Sequence, residues 1–82
     1  MKISVGHNEY VESDSIVAVL HVDSAPARNL RYGASENGML INATKGRKAR
    51  SLIVLENNQI LLSALRPKTL KSRIQETSSL YQ

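Results

Sequence analysis

The chain has 82 residues, no cysteine, two histidines and a formal net charge of +4 at pH 7. This composition excludes disulfides and speaks against a structural zinc site, which usually takes four Cys or His ligands. The length predicts a single domain over residues 1–82, and a core of that size seldom contributes more than about 3–5 kcal/mol without a further stabilising element. We therefore expect copies of the chain to associate, and we expect no cofactor.

Strands are predicted in the first quarter of the chain. Residues 3–5 and 9–11 have the pattern of short strands, and residues 16–22 are rich in β-branched side chains. His7 lies between the first two segments, where a polar turn is expected. His21 lies in the third segment and suits a sheet edge or an interface.

A helix is predicted to begin after Ser24 and to end at Asn37-Gly38. Ser is a favoured N-cap, Pro26 is tolerated in a first helical turn, and Gly readily adopts the left-handed conformation that ends helices. Arg28 and Arg31 lie on a flank of this helix. The residues expected to face the sheet are Ala27, Leu30 and Ala34.

Three more strands are predicted in the second half. Residues 39–41 are expected to form a short buried strand, and residues 42–49 a polar turn. Residues 51–55 and 60–65 are expected to pair antiparallel through the tight link between them.

Pro67 starts a second predicted helix, on which Leu70 and Ile74 share one face. The cations expected outside that face are Lys68, Lys71 and Arg73. The tail from about Thr77 is expected to be flexible, with residues 80–81 available to dock on a neighbouring copy. These elements predict an α+β fold, a small and mostly antiparallel sheet with two short helices.

Charge is unevenly distributed along the chain. Residues 1–24 contain four acidic side chains and one lysine, whereas residues 25–54 contain six cations and one glutamate. This polarity favours a basic face for a polyanion and an acidic face turned elsewhere, although a merely soluble surface has similar charge. We expect Arg28 and Arg31 either to extend a phosphate track or to bridge to Glu12 and Asp14 of a neighbouring copy.

The candidate binding segment is the loop of residues 44–50, called the basic loop below. Four of its side chains are cations, grouped around Gly46: Lys45, Arg47, Lys48 and Arg50. Gly46 permits a sharp turn that lets a phosphate approach the backbone, and arginine can fork onto phosphate oxygens or guanine edges. A solvated basic loop without a ligand has the same composition. The segment lacks the glycine spacing and the Lys-Ser/Thr pair of a Walker A loop, so nucleotide hydrolysis is not expected.

No paired acid and base emerges elsewhere, so we expect a protein that is not an enzyme. Ser24 is explained better as a helix cap than as a nucleophile, and His7 better as a turn residue than as a base. Glu9, Glu12 and Asp14 are explained better as charges on an exposed strand edge than as a metal site. The absence of cysteine and of an apolar leader leads us to expect a cytoplasmic location and no membrane contact.

Four segments of the chain carry a resemblance to a known family. They are Ser24-Ala25-Pro26, Gly38-Met39-Leu40-Ile41-Asn42-Ala43-Thr44, Gly46-Arg47-Lys48-Ala49-Arg50, and Leu62-Ser63-Ala64 with Pro67 and Thr69. Together they resemble the RemA family, small regulators of bacterial extracellular-matrix (biofilm) genes. The resemblance extends without gaps from about Ile3 to Ile74, and the Gly-Met-Leu-Ile segment running into Gly-Arg-Lys is its most specific part.

The resemblance implies a DNA-binding transcription regulator that assembles into a ring-shaped homo-oligomer, with eight copies expected and duplex DNA along the outer rim. No small-molecule substrate is implied. The family's Gly-Arg-Arg element contacts DNA and corresponds here to Gly46-Arg47-Lys48.

The chain departs from the family pattern at four places. Asn42 replaces an Asp, and Lys48 replaces an Arg, which keeps the charge but loses the bidentate fork. Gly6-His7-Asn8-Glu9 replaces a Gly-Phe-Gly-Asn turn, and Asp14-Ser15 replaces an Asn-Arg pair.

Two other functions stay open at this point. A module that binds RNA or other anions would use the same loop, but single-stranded RNA favours aromatic stacking, and the tyrosines Tyr10, Tyr32 and Tyr81 all lie outside it. A non-catalytic scaffold for an acidic protein would use the same basic face.

Overall fold

The computed structural model describes the backbone of residues 1–79 and the side chains of residues 1–76. The strands are β1 (Lys2–Gly6), β2 (Glu9–Glu12), β3 (Ile16–His21), β4 (Leu40–Asn42), β5 (Ser51–Leu55) and β6 (Ile60–Ser63), and the helices are α1 (Ala25–Glu36) and α2 (Pro67–Ser79). The predicted α+β fold with a mostly antiparallel sheet and two helices is confirmed. The tail predicted from Thr77 begins within α2, and Leu80 and Tyr81 lie outside the described residues. Over its described length, neither helix is long and apolar enough to cross a membrane.

A tight turn joins β1 and β2 into an antiparallel hairpin. Gly6 pairs with Glu9, and the two residues between them, His7 and Asn8, both have positive φ, 54° and 68°. Two successive positive φ values are the pattern of a type I′ turn, whose twist matches that of the flanking strands. The predicted turn position of His7 is confirmed.

The other four strands form one sheet in the order β3-β5-β6-β4. β5 pairs antiparallel with both β3 and β6, whereas β4 pairs parallel with β6. β3 is therefore an edge strand, and exposed His21 lies at its end, as predicted. Because β6 lies between β4 and β5, the chain that joins those two strands has to pass across the end of β6.

The central strands β5 and β6 are covered on both faces, which explains their nearly continuous apolar sequence. On one face, β1 and α2 close an apolar cluster that includes Val5, Val19, Ile53, Leu61 and Leu70. On the other face, α1 closes a cluster that includes Val22, Ala27, Ala34, Leu52, Ile60 and Leu62. The core thus lies on both sides of the sheet and fixes the strand ends that carry the loops.

Helix α1 begins and ends as predicted, but one of its three expected core residues is exposed. The Ser24 hydroxyl oxygen accepts a hydrogen bond from the Ala27 N–H at 3.3 Å. Ala27 and Ala34 are buried, whereas Leu30 is 40% exposed. Residues 27 and 34 are nearly two full turns apart and share a direction, while residue 30 is rotated from it by roughly 60°. Leu30 therefore lies on the flank of the apolar face.

The prediction that residues 39–41 form a buried strand is wrong in its burial. β4 is an edge strand, Leu40 is half-buried, and Ile41 is 39% exposed.

The position of Arg73 on α2 also differs from the prediction. Its side chain is half-buried, and its Nη1 donates to the Ser4 carbonyl at 2.9 Å. That contact fastens α2 to β1.

A pair of buried serines ties the end of β6 to β1. Ser51 and Ser63 are directly opposite on β5 and β6, and both are fully buried. The Ser63 hydroxyl donates to the Val5 carbonyl at 2.7 Å and accepts from the Leu65 N–H at 3.0 Å. The Ser51 hydroxyl donates to the Leu65 carbonyl at 2.6 Å. These bonds hold the chain just before α2 against the end of the sheet.

Candidate nucleic-acid interface

The basic loop begins with a side-chain-stabilised turn. The Asn42 Oδ1 atom accepts from the Thr44 N–H at 3.0 Å and from the Thr44 hydroxyl at 2.7 Å. Thr44 is only 2% exposed, so this contact fixes the start of the loop against the core. Asn favours such local bonds to a backbone N–H two residues on.

The tip of the loop is a second tight turn. The Arg47 N–H donates to the Thr44 carbonyl at 3.1 Å, and the two residues between them, Lys45 and Gly46, have φ values of 54° and 84°. Two left-handed residues in succession are rare outside turns of this kind, and glycine adopts the conformation without strain. The predicted role of Gly46 in a sharp turn is confirmed.

The chain is hydrogen-bonded to β6 immediately before the basic loop and again at the last residue of the loop. The Ala43 N–H donates to the Leu62 carbonyl at 3.0 Å, and the Arg50 N–H donates to the Ser63 carbonyl at 2.8 Å. The Arg50 carbonyl also accepts a hydrogen bond from the Val22 N–H at 3.1 Å, which connects the loop to the residue that follows β3. The loop is therefore a crossover anchored to the middle of the sheet.

The four cations of the loop are all exposed, but they are not equivalent. The Lys45 ammonium lies 2.9 Å from a Glu9 carboxylate oxygen of β2, with both side chains about half exposed. An exposed pair of this kind contributes about 0–1 kcal/mol, so a phosphate can compete for the lysine. Arg47, Lys48 and Arg50 make no ion pair within 4.0 Å among the described side chains.

Two of these loop cations share a groove with three cations from elsewhere in the chain, and we call it the cationic groove. Its cations are Lys48, Arg50, Arg66, Lys68 and Lys71. His21 and Asp23, from the end of β3 and the turn after it, complete its polar lining. The prediction grouped the loop cations but missed the contribution of residues 66–71. The off-face positions of Lys68 and Lys71 on α2 were visible in the sequence, but the proximity of these lysines and of Arg66 to the loop depends on the strand order.

The secondary candidates Arg28 and Arg31 lie elsewhere on the molecule. Both are exposed on α1 and line a shallow depression together with Tyr32, Ser35 and Leu40 of β4. That depression shares no residue with the cationic groove among the described residues. The structure thus brings part of the loop together with α2, and it places the α1 arginines beside an edge strand.

The acidic residues near the start of the chain are dispersed. Glu9 contacts Lys45, whereas Glu12 contacts the terminal ammonium of Met1 at 3.1 Å. Over the residues that the structure describes, no three His, Asp or Glu side chains are grouped closely enough to hold a metal ion.

These features define a small α+β protein that presents an anchored basic loop beside a cationic groove. The family model described as RemA-like, Extracellular matrix regulatory protein A-like, matches residues 3–74. The chain belongs to the RemA-like family, and the resemblance seen in its motifs is confirmed.

Relatives with a provisional name of regulatory protein match nearly the whole chain. One from Oleidesulfovibrio alaskensis is 41% identical over 78 residues, which cover 94% of this chain and 93% of the relative. One from Kosmotoga olearia is 39% identical over 75 residues, which cover 92% of this chain and 76% of the relative. One from Fervidobacterium nodosum is also 39% identical over 75 residues, with 92% and 81% covered.

Proposed function

We propose that this chain is a DNA-binding transcription regulator that contacts duplex DNA through the basic loop, repeated around a ring-shaped homo-oligomer. The observation that carries the proposal is the anchoring of the loop: Arg47, Lys48 and Arg50 are exposed on a segment whose two ends are hydrogen-bonded to β6. Membership of the RemA-like family and the names of the relatives support a regulatory role.

The side chains of the loop are suited to binding an anion and not to catalysing a reaction. Exposed guanidinium and ammonium groups neutralise phosphates and release counterions, which is the main source of affinity for DNA. Three such contacts correspond to a salt dependence of about −2.7 in log–log slope, since each neutralised phosphate contributes about −0.9. We therefore assign the protein a non-enzymatic role, in the cytoplasm, where bacterial DNA is located.

Assembly into a ring is part of the proposal because a single loop makes few contacts. Both edges of the four-stranded sheet expose apolar side chains, with Val17 of β3 64% exposed and Ile41 of β4 39% exposed. Tyr32, on the α1 face beside β4, is 70% exposed. Burial of such surface between copies is favourable, and several loops on one duplex can raise avidity by about 10²–10⁴. Sedimentation velocity tests this directly, with an octamer as the expected species.

Substitution of Arg47 tests the DNA contact. A labelled duplex titrated at about 0.15 M salt should bind Arg47→Ala at least about fivefold more weakly than the parent, because one phosphate contact is lost per engaged protomer. Lys2→Ala is the matched control, since it removes the same charge from an exposed position on β1. Equal affinity of Arg47→Ala and the parent would refute the loop assignment. Stronger competition by single-stranded RNA than by duplex would favour an RNA-binding module.

A further inference from the structure

The cationic groove has a large excess of unpaired positive charge. Its five cations face one carboxylate, that of Asp23. None of the five has an ion-pair partner within 4.0 Å among the described side chains, whereas Lys45, outside the groove, is paired with Glu9. Like charges gathered on one surface repel each other, so this clustering costs free energy until an anion is bound.

The walls of the groove are fixed by backbone contacts. On one side, the Arg50 backbone is bonded to Ser63 and to Val22. On the other side, the chain entering α2 is held by the bonds of Leu65 to the buried serines. Lys68 and Lys71 are three residues apart on α2, so they lie on neighbouring positions of one helix face. The first turn of α2 adds the positive end of the helix dipole to the same side.

The charge of the groove selects the class of ligand. Five cations and one carboxylate leave a net charge of about +4 with His21 neutral, which one phosphodiester cannot neutralise. A DNA strand carries one negative charge for each nucleotide, at about 3.4 Å per step along the helix axis, and so presents several phosphates to a surface of this size. Arg47 does not line the groove, so it is free to make a separate contact.

We propose that the cationic groove seats the sugar–phosphate backbone of duplex DNA, so that Arg66, Lys68 and Lys71 are phosphate contacts in addition to those of the basic loop. This inference rests on the proposed DNA-binding function and extends it to residues outside the loop. Each engaged protomer then neutralises five phosphates in the groove, and Arg47 supplies a sixth contact. The expected log–log salt slope per engaged protomer steepens from about −2.7 to about −5.4.

The test is the salt dependence of duplex binding by the double variant Lys68→Gln/Lys71→Gln. Glutamine retains much of the apolar stem and has a similar helix propensity, so α2 is expected to be preserved. The slope should become shallower by about 1.8 for each engaged protomer, and affinity at 0.15 M salt should fall at least about thirtyfold. The control Lys2→Gln removes a lysine that is exposed on β1, outside both the groove and the basic loop, and should leave the slope nearly unchanged. Arg66→Gln, which leaves α2 itself unchanged, should make the slope shallower by about 0.9 for each engaged protomer.

The outcomes separate the groove from the loop. If the groove variants bind with the parent's slope while Arg47→Ala loses affinity, the groove inference is overturned and the proposed function stands. If the groove variants lose affinity while Arg47→Ala does not, the groove is supported and the loop assignment falls. A parent protein that does not bind duplex overturns both. If the groove variants lose affinity for single-stranded RNA but not for duplex DNA, duplex DNA is not the ligand of the groove.

Discussion

Replacement of Ser63 by alanine should strongly destabilise the fold, because one buried hydroxyl serves two backbone groups. The Ser63 hydroxyl is fully buried, donates to the Val5 carbonyl at 2.7 Å and accepts from the Leu65 N–H at 3.0 Å. The methyl group of alanine can do neither. Val5 and Leu65 are then left with polar groups that water cannot easily reach.

The size of the effect follows from the number of lost partners. A buried polar group left without a partner costs about 1–3 kcal/mol, so two of them cost about 2–4 kcal/mol when relaxation recovers part of the loss. Each kcal/mol lowers the melting temperature of a protein this small by about 4–8 °C, which gives a decrease on the order of 10–25 °C. Since a core of this size contributes only about 3–5 kcal/mol, the variant should be close to unfolding unless association stabilises it.

Thermal and urea unfolding followed by circular dichroism would measure the loss. Ser51→Ala is a graded comparison, because the Ser51 hydroxyl serves one carbonyl, that of Leu65, and the expected cost is about 1–2 kcal/mol. Ser35→Ala, on the exposed side of α1, is the matched control and should change stability by less than about 0.5 kcal/mol. A Ser63→Ala variant as stable as the Ser35→Ala control would show that this hydroxyl does not support the end of the sheet.

Two further changes probe the surface. Glu9→Gln removes the carboxylate that pairs with Lys45, so the salt slope of duplex binding should steepen by about 0.9 for each engaged protomer, with little change in stability. An unchanged slope would place Lys45 away from the DNA. If Arg31 bridges to Glu12 and Asp14 of a neighbouring copy, Arg31→Glu should weaken the contact between copies. The size of the oligomer measured by sedimentation velocity should then decrease before the DNA affinity of each assembled particle does. An intact assembly with lost binding would instead assign Arg31 to the phosphate track.

The strands, both helices and the hairpin turns could be predicted because their signals are local. Alternating apolar residues, the cap at Ser24 and the turn at Gly46 act over a few positions, and the structure has each of them in place. The burial of residues 39–41 could not be predicted, because an apolar run has the same pattern in a central strand and at an edge. β4 became an edge strand through its parallel pairing with β6, about twenty residues away in the sequence.

The candidate site also has one part that could be predicted from local sequence and one part that depends on the fold. The basic loop is contiguous, so its cations are evident in the sequence, whereas the cationic groove joins residues near 22, 49 and 68 that only the strand order brings together. The pairing of Lys45 with Glu9 also required the position of the β1–β2 hairpin. The serine pair carried no sequence signal of its own, because small polar residues in strands usually face solvent and only the register places Ser51 opposite Ser63 inside the core.

The departures of this chain from the family pattern leave the turn and the charge of the loop intact. At position 42, the two bonds to Thr44 need only an acceptor oxygen, which the Asn42 amide supplies as well as the Asp of the family pattern would. Asn also removes a negative charge beside the loop cations, which strengthens their attraction for phosphate. Lys48 lines the cationic groove and does not lie in the turn at the tip of the loop. In the groove, a point charge on a flexible stem suits a phosphate backbone, and a bidentate fork is not needed. The substitution at 48 therefore affects the geometry of one contact more than the affinity of the surface.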